Sequence, residues 1–203
     1  MDGVDVSADM VAAAAQALGG SSRLFVQPLH ELRLNRMYRT AYMCGVLGLG
    51  GRRDHDREAL RRVHAQLFPG GALLITHWLP YGDADEDAWS AWLPGRRDAR
   101  PAGWPAKGNR KTSTDGDELE LLTRVATMDP LEQLVTLGML ARLWRDGAVV
   151  VEEAYTLRSC LYFAQAVVLM LEGAGFHDVT IGAGFSEREA AGDDGVVTFV
   201  ARR

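Results

Sequence analysis

The chain is poor in cysteine, in positive charge and in long apolar runs, and each shortage closes off a class of protein. Only Cys44 and Cys160 occur, both in apolar segments without metal-ligand spacing. That argues against a disulfide scaffold and points to buried, reduced thiols in a cytosolic protein. Lys and Arg number 22 against 27 Asp and Glu, a net charge of -5. The short basic clusters Gly51-Arg-Arg53, Leu60-Arg-Arg62 and Gly95-Arg-Arg97 are interleaved with acids. They read as solvated surface, and no nucleic-acid partner is expected. No apolar run reaches membrane-spanning length, and the first residues lack the basic-then-apolar order of a signal peptide, so no membrane partner is expected either. His30, His55, His64 and His177 sit on different elements without metal spacing. Asp115-Gly116-Asp117 and Asp193-Asp194-Gly195 lack the further ligands of a calcium loop and read as turns. Ser159 and Ser186 have no nucleophile-elbow context, which leaves a hydrolase without support.

What remains is an ordinary globular composition, 47% hydrophobic and 24% charged. Gly3-Val-Asp-Val-Ser7 reads as a short buried strand ending on the carboxylate of Asp5. A helix through Val11–Leu18 follows, with Ser7 as its N-cap. Arg23–Gln27 is a second short strand stopped by Pro28, and Tyr38–Leu49 is a longer apolar run that dissolves into glycines. Asp54–Leu67 places Leu60, Val63, His64 and Leu67 at helical spacing. Phe68-Pro-Gly-Gly71 stops that helix, and Ala72–Trp78 is the next strand. Strand, helix and strand at this spacing predict a parallel sheet with helices on its faces. From Leu79 to Gly116 the pattern is lost among three tryptophans and four prolines, as in a long loop or lid. Glu118–Thr127, Gln133–Leu143 and Ala148–Leu157 predict three antiparallel strands, separated by turns at Asp129-Pro130 and Arg145–Gly147. A helix over Tyr162–Glu172 and strands at His177–Gly182 and Val196–Ala201 close the chain.

Four blocks in order carry a resemblance. They are Gly3–Ser7 with Met10, Gly45-Val-Leu-Gly-Leu-Gly-Gly51, Glu58–Gly71 leading into Ala72–Thr76, and Leu171-Glu-Gly-Ala-Gly-Phe-His-Asp-Val179. Together they resemble class I S-adenosylmethionine-dependent methyltransferases, particularly those acting on small molecules in bacteria. The resemblance implies a Rossmann-like α/β fold, a three-layer sandwich whose mostly parallel sheet has an antiparallel last strand. Residues 1–78 and 158–203 would form the core, and 79–157 an inserted antiparallel lid shaping the acceptor pocket. Two departures stand out. The family places a strand and a glycine-rich loop before the strand ending at Asp5, and a carboxylate where this chain has Pro28-Leu29-His30. The expectation is therefore a shortened reading of a longer protein. The rival is a truncated paralogue whose sheet closes up or borrows a strand. Losing the central strand would leave neighbouring backbone groups unpaired, at roughly 1–3 kcal/mol for each buried group.

The resemblance also assigns roles, each with a plainer reading beside it. Asp5 would accept the ribose hydroxyls of S-adenosylmethionine, or simply begin a helix. Val6 and Met10 would line the adenine, with Leu29 and His30 beside it, or pack ordinarily. Cys44 and Gly45 would leave room for the sulfonium, or be a strand thiol beside a turn glycine. His77 would act as general base, or hydrogen-bond within the sheet rim. Tyr81 and, less so, Asp83 are further candidates for catalysis. Trp89, Trp92, Trp104 and Trp144 would wall an aromatic acceptor or meet the sulfonium through their ring faces, or anchor the lid, and Trp78 ends a strand beside His77 at the ligand lip. Of the five tryptophans, Trp78 and Trp144 are the substrate-binding choices. Of Glu152 and Glu153 at most one points inward, and a salt bridge within the flap is the plainer reading. The predicted function is methyl transfer to an O, N or C atom of a small molecule, with a homodimer as an optional assembly. The alternative is a non-catalytic partner or scaffold protein that has lost the cofactor. A nicotinamide-dependent dehydrogenase is disfavoured by Phe68–Gly71 and by the insertion.

Overall fold

A computed structural model describes residues 1–20, 22–81, 92–93, 103–113 and 116–203. In chain order its elements are β1 (Asp2–Asp5), α1 (Ala8–Leu18), β2 (Arg23–Val26), a short 3-10 turn (Leu29–Glu31), β3 (Tyr38–Cys44), α2 (Arg53–Gln66) and β4 (Leu67–Trp78). Then come β5 (Asn109–Thr112), β6 (Glu118–Asp129), β7 (Leu134–Arg145), β8 (Ala148–Cys160), α3 (Ala164–Gly173), β9 (His177–Ala183) and β10 (Val196–Arg202). Two compact units result. One holds Met1–Leu47, Arg53–Gly82 and Tyr162–Arg203, the other Gly48–Arg52 and Asp83–Leu161.

Local chemistry explains the helix ends. The Ser7 hydroxyl accepts from Met10 N at 3.3 Å, and Gly19 closes α1 at φ +59 in the left-handed region. α2 stops at Gln66, ahead of the proline and glycines at 69–71. The backbone then continues as strand from Leu67, earlier than expected, because Leu67 pairs with Tyr38 before the register shifts to Thr40 opposite Ala72. Gly70 and Gly71 exchange backbone hydrogen bonds with Arg203, which pins this bend to the chain's last residue.

The first unit's sheet departs from the expected single sheet. β1 pairs in parallel with β2 alone, while β3, β4, β10 and β9 form a separate four-stranded sheet with β10 antiparallel to both neighbours. No strand among the described residues bridges β1 and β3. The cost is smaller than a buried gap would carry, because Asp2–Val4 are only half-buried and Asp5 is exposed. Among the described residues, α2 packs against β4 and α3 against β9. Side chains alternate along a strand, so Leu73, Ile75 and His77 of β4 share a face with Met43, Val197, Phe199 and Ala201. That face is buried, together with Ala59, Leu60 and Val63 of α2 and Val167 and Leu171 of α3. On the other face Thr40, Tyr42, Cys44 and Trp78 are exposed, while Ala72, Thr76 and Thr198 are buried. α1 packs against β1 and β2 instead, with none of its residues buried.

The second unit is one antiparallel sheet in the order β5-β6-β7-β8, a strand more than the three expected. Its hairpin turns fall at 130–133 and at Asp146-Gly147, where Gln133 and Asp146 adopt positive φ. One face carries a cross-strand ladder of alternating charge. Arg110 pairs with Glu118 and Glu120, and Arg142 joins Glu120 to Glu152.

Candidate functional site

Three strand starts are tied together. Arg23 Nε donates to Asp2 Oδ1 at 3.1 Å, and the Tyr38 hydroxyl donates to Asp2 Oδ2. These bonds, Arg23 first, hold the Asp2 carboxyl down at about 2. With β1, β2 and β3 starting at one end, their last residues Asp5, Val26 and Cys44 share the other, as does Trp78 at the end of β4. Open α/β sheets collect their ligands at that end.

Asp5 is exposed there, and its Oδ1 accepts from Ser7 N at 2.8 Å. The carboxylate thus stands at the N-terminus of α1, where the helix dipole favours negative charge. Val6 and Met10 follow, 70% and 59% exposed, an apolar surface in water beside a carboxylate. Leu29 and His30 open the 3-10 turn after β2. The His30 ring stacks on His55 of α2 with centroids 3.6 Å apart, and its Nε2 lies 3.6 Å from a Glu31 carboxylate oxygen.

At the end of β3, hydrogen bonds from Thr76 and then Tyr42 hold the exposed Cys44 thiol below its usual pKa. The Tyr42 hydroxyl lies 3.3 Å from Thr76 Oγ1. Neither Tyr42 nor Thr76 stood out in the sequence. The signal was there in part, since Tyr42 lies two residues before Cys44 and so shares its face. Gly45 then turns at φ +57 and donates to the Thr76 carbonyl at 3.0 Å. A Cβ at this position would lie 2.0 Å from the Trp78 ring, so the indole rests directly on the glycine.

His77 and Trp78 point opposite ways. Trp78 is 55% exposed at the strand end, whereas His77 is buried on the core face. His77 Nε2 lies 3.0 Å from the Tyr162 carbonyl, which only accepts, so that nitrogen carries the hydrogen. Burial pushes the His77 pKa down, which keeps the ring neutral. The Tyr162 hydroxyl in turn donates to Asp56 Oδ2 of α2 at 2.7 Å. His77 therefore joins strand to helix under the site, and its burial gives a base role at the strand ends no geometric support. Tyr81 is half-buried, its ring 6.3 Å from that of Phe163.

Trp104 and Trp144 belong to the second unit. Trp144 donates through Nε1 to Glu120 at 3.1 Å, with the Arg110 guanidinium 4.2 Å above its ring. Trp104 carries Arg124 in the same way at 4.6 Å and lies against Gly138. Glu152 is held by Arg142 at 2.7 Å. Asp83, Trp89 and Asp115 lie outside the described residues.

No protein-family model matches the chain, and no curated protein matches it. Solved structures do. Over 99% of this chain and 74% of the other, it superposes on an S-adenosylmethionine-dependent methyltransferase from Clostridium acetobutylicum ATCC 824, with TM-score 0.73 and 15% identity. The sugar N-methyltransferase KedS8 from Streptoalloteichus sp ATCC 53650 matches over 100% and 70%, with TM-score 0.68 and 16% identity. CalS10 from Micromonospora echinaspora, an amino pentose methyltransferase solved with S-adenosylmethionine bound, matches over 100% and 73%, with TM-score 0.66 and 16% identity. At such identities the likeness establishes the fold, which is that of these small-molecule methyltransferases.

Proposed function

We propose that the chain transfers a methyl group from S-adenosylmethionine to an O, N or C atom of a small molecule. An amine nitrogen is the first acceptor to try, because one of the similar structures is named a sugar N-methyltransferase and another an amino pentose methyltransferase. One observation carries the reading: an exposed carboxylate, Asp5, stands beside exposed apolar Val6 and Met10 at the same strand ends as Cys44 and Gly45. This donor set fits the nucleoside half of the cofactor. Asp5 would accept the ribose hydroxyls, Val6 and Met10 would flank the adenine, and Leu29 with His30 would close its edge. When bound, the cofactor supplies an electrophilic methyl group on a positive sulfur. Trp78, seated on Gly45, offers a ring face to that charge. A neutral amine needs no base to accept a methyl group, and its proton leaves afterwards to water. What the chain contributes is position. His77 then serves as a neutral brace, holding the lip from which Trp78 projects.

The test is a thermal melt with and without S-adenosylhomocysteine. At about 100 times its dissociation constant, the ligand adds about 2.7 kcal/mol and raises the midpoint. Asp5→Asn should lose most of that rise while melting normally alone, because the Asn side-chain oxygen still accepts from Ser7 N. A cooperative melt that no ligand excess moves would defeat the proposal and leave a non-catalytic, methyltransferase-like partner protein.

A further inference from the structure

The ligand end of the first unit's sheet continues past β4. Val197 stands opposite His77 on one side and Ala183 on the other, so the three share a row across β4, β10 and β9. β10 is antiparallel to both neighbours, so β9 ends where β4 ends. One residue on, Gly184 N donates to the Val196 carbonyl at 3.0 Å, and Val196 pairs with Trp78. Gly184 is therefore level with Trp78 and two strand steps away, about 10 Å.

A tight turn follows. Ser186 N donates to the Ala183 carbonyl at 3.1 Å, with Gly184 at φ +53. Its surroundings hold it in place. Ser186 Oγ donates to the same carbonyl at 2.7 Å, and the Thr198 hydroxyl donates to the Gly184 carbonyl. Ala183 N donates to the Arg188 carbonyl at 2.9 Å, and Ala190 N to the Ile181 carbonyl at 3.0 Å. At the tip sits Phe185, 81% exposed. Gly, Asn, Asp and Ser fill such tips because they satisfy the turn and meet water, and none of these hydrogen bonds needs a phenyl ring. One exposed apolar side chain alone is ordinary. Phe185, however, shares its end of the sheet with the exposed indole of Trp78, on a turn that fixes where it stands.

We propose that Phe185 determines acceptor specificity, by taking an apolar group of the acceptor about 10 Å from the nitrogen methylated beside Trp78. This rests on the methyltransferase reading and names the acceptor's class, an amine carrying a distal aromatic or aliphatic group. Charge narrows the class further. Arg188, the cation of this turn, is held by Asp194 at 2.6 Å, while Glu187 and Glu189 are exposed on either side of it. A phosphate or carboxylate at the far end of the acceptor would meet repulsion there, whereas an uncharged ring meets the phenyl.

The probes are hexylamine and 6-phenylhexylamine, titrated by calorimetry into the full chain saturated with S-adenosylhomocysteine. They differ only in the ring, and the six-carbon chain spans the two strand steps. The phenyl compound should bind about 10-fold more tightly, as expected for burying much of an aromatic side chain against another. Phe185→Ala should abolish that preference and Phe185→Leu should keep part of it, while both melt like the native chain because the ring is exposed. Both variants should also keep the full rise in melting midpoint with S-adenosylhomocysteine, since Phe185 lies away from Asp5. Equal binding of the two amines by the native chain would overturn the proposal, as would a preference that survives Phe185→Ala. If the native chain shows no rise with S-adenosylhomocysteine, the methyltransferase reading itself fails. A normal rise without phenyl preference defeats the acceptor class alone.

Discussion

At the scale of single residues, the contact between Gly45 and Trp78 is the sharpest constraint at the strand ends. Gly45 meets two demands at once, a left-handed backbone and space for an indole, and only glycine satisfies both. Gly45→Ala should lower stability by about 1–2 kcal/mol for the backbone alone, with a further loss from the ring it displaces. Adding Trp78→Ala should recover the second part and leave the first, which a double-mutant cycle of thermal melts would separate. The sequence marked Gly45 as small and Trp78 as a candidate, but nothing in it showed that the two meet across neighbouring strands. The same holds for His77. Its place at a strand end was legible. The face it takes was decided by pairing with β10 and by Tyr162, whose carbonyl meets it from far along the chain. Asp5, by contrast, stands at the start of α1 through Ser7 two residues on, and that local pattern was legible.

Among the elements, β1 and β2 form the smallest sheet, and the clasp on Asp2 is what joins them to β3 through Tyr38. The Asp2 carboxyl sits at about 2 in the folded chain, against about 3.9 for a free aspartate. The unfolded chain therefore binds the extra proton first as pH falls, and the stability this group adds is complete above about pH 4 and lost towards pH 2. Melting midpoints from pH 5 to 2 should fall more steeply for the native chain than for Asp2→Asn, the difference lying between pH 4 and 2. Most element boundaries were readable to within a few residues, because Ser7, Gly19, Pro28 and the glycines at 70–71 act locally. β5 was missed since Asn109–Thr112 is polar, with neither alternation nor apolar content, and is a strand only because Leu119 and its neighbours in β6 offer a ladder. The gap between β1 and β3 was likewise beyond periodicity, which shows that a strand exists but not what it pairs with.

For the molecule as a whole, the first unit's core rests on few side chains, with Leu60, Leu73, Ile75, Leu171 and Phe199 below 2% exposure. Leu171→Ala should cost about 2–5 kcal/mol, a large share of the roughly 5–15 kcal/mol typical of a domain. A urea titration should then show a lower midpoint with its slope unchanged. The hydrogen bond from Tyr162 to Asp56 has a further consequence, for the order of folding. It joins residues 106 positions apart, with the whole inserted sheet between them. Closing a longer loop is cheap, only about 0.6 kcal/mol per doubling of length, and the β6–β7–β8 hairpins are local enough to form first. Once those hairpins have formed, the stretch from Glu118 to Cys160 no longer counts as free coil in that closure. The turn at Asp146-Gly147 is thus a place where evolution can add or remove residues while the helix–strand brace still finds its partner at nearly the same rate.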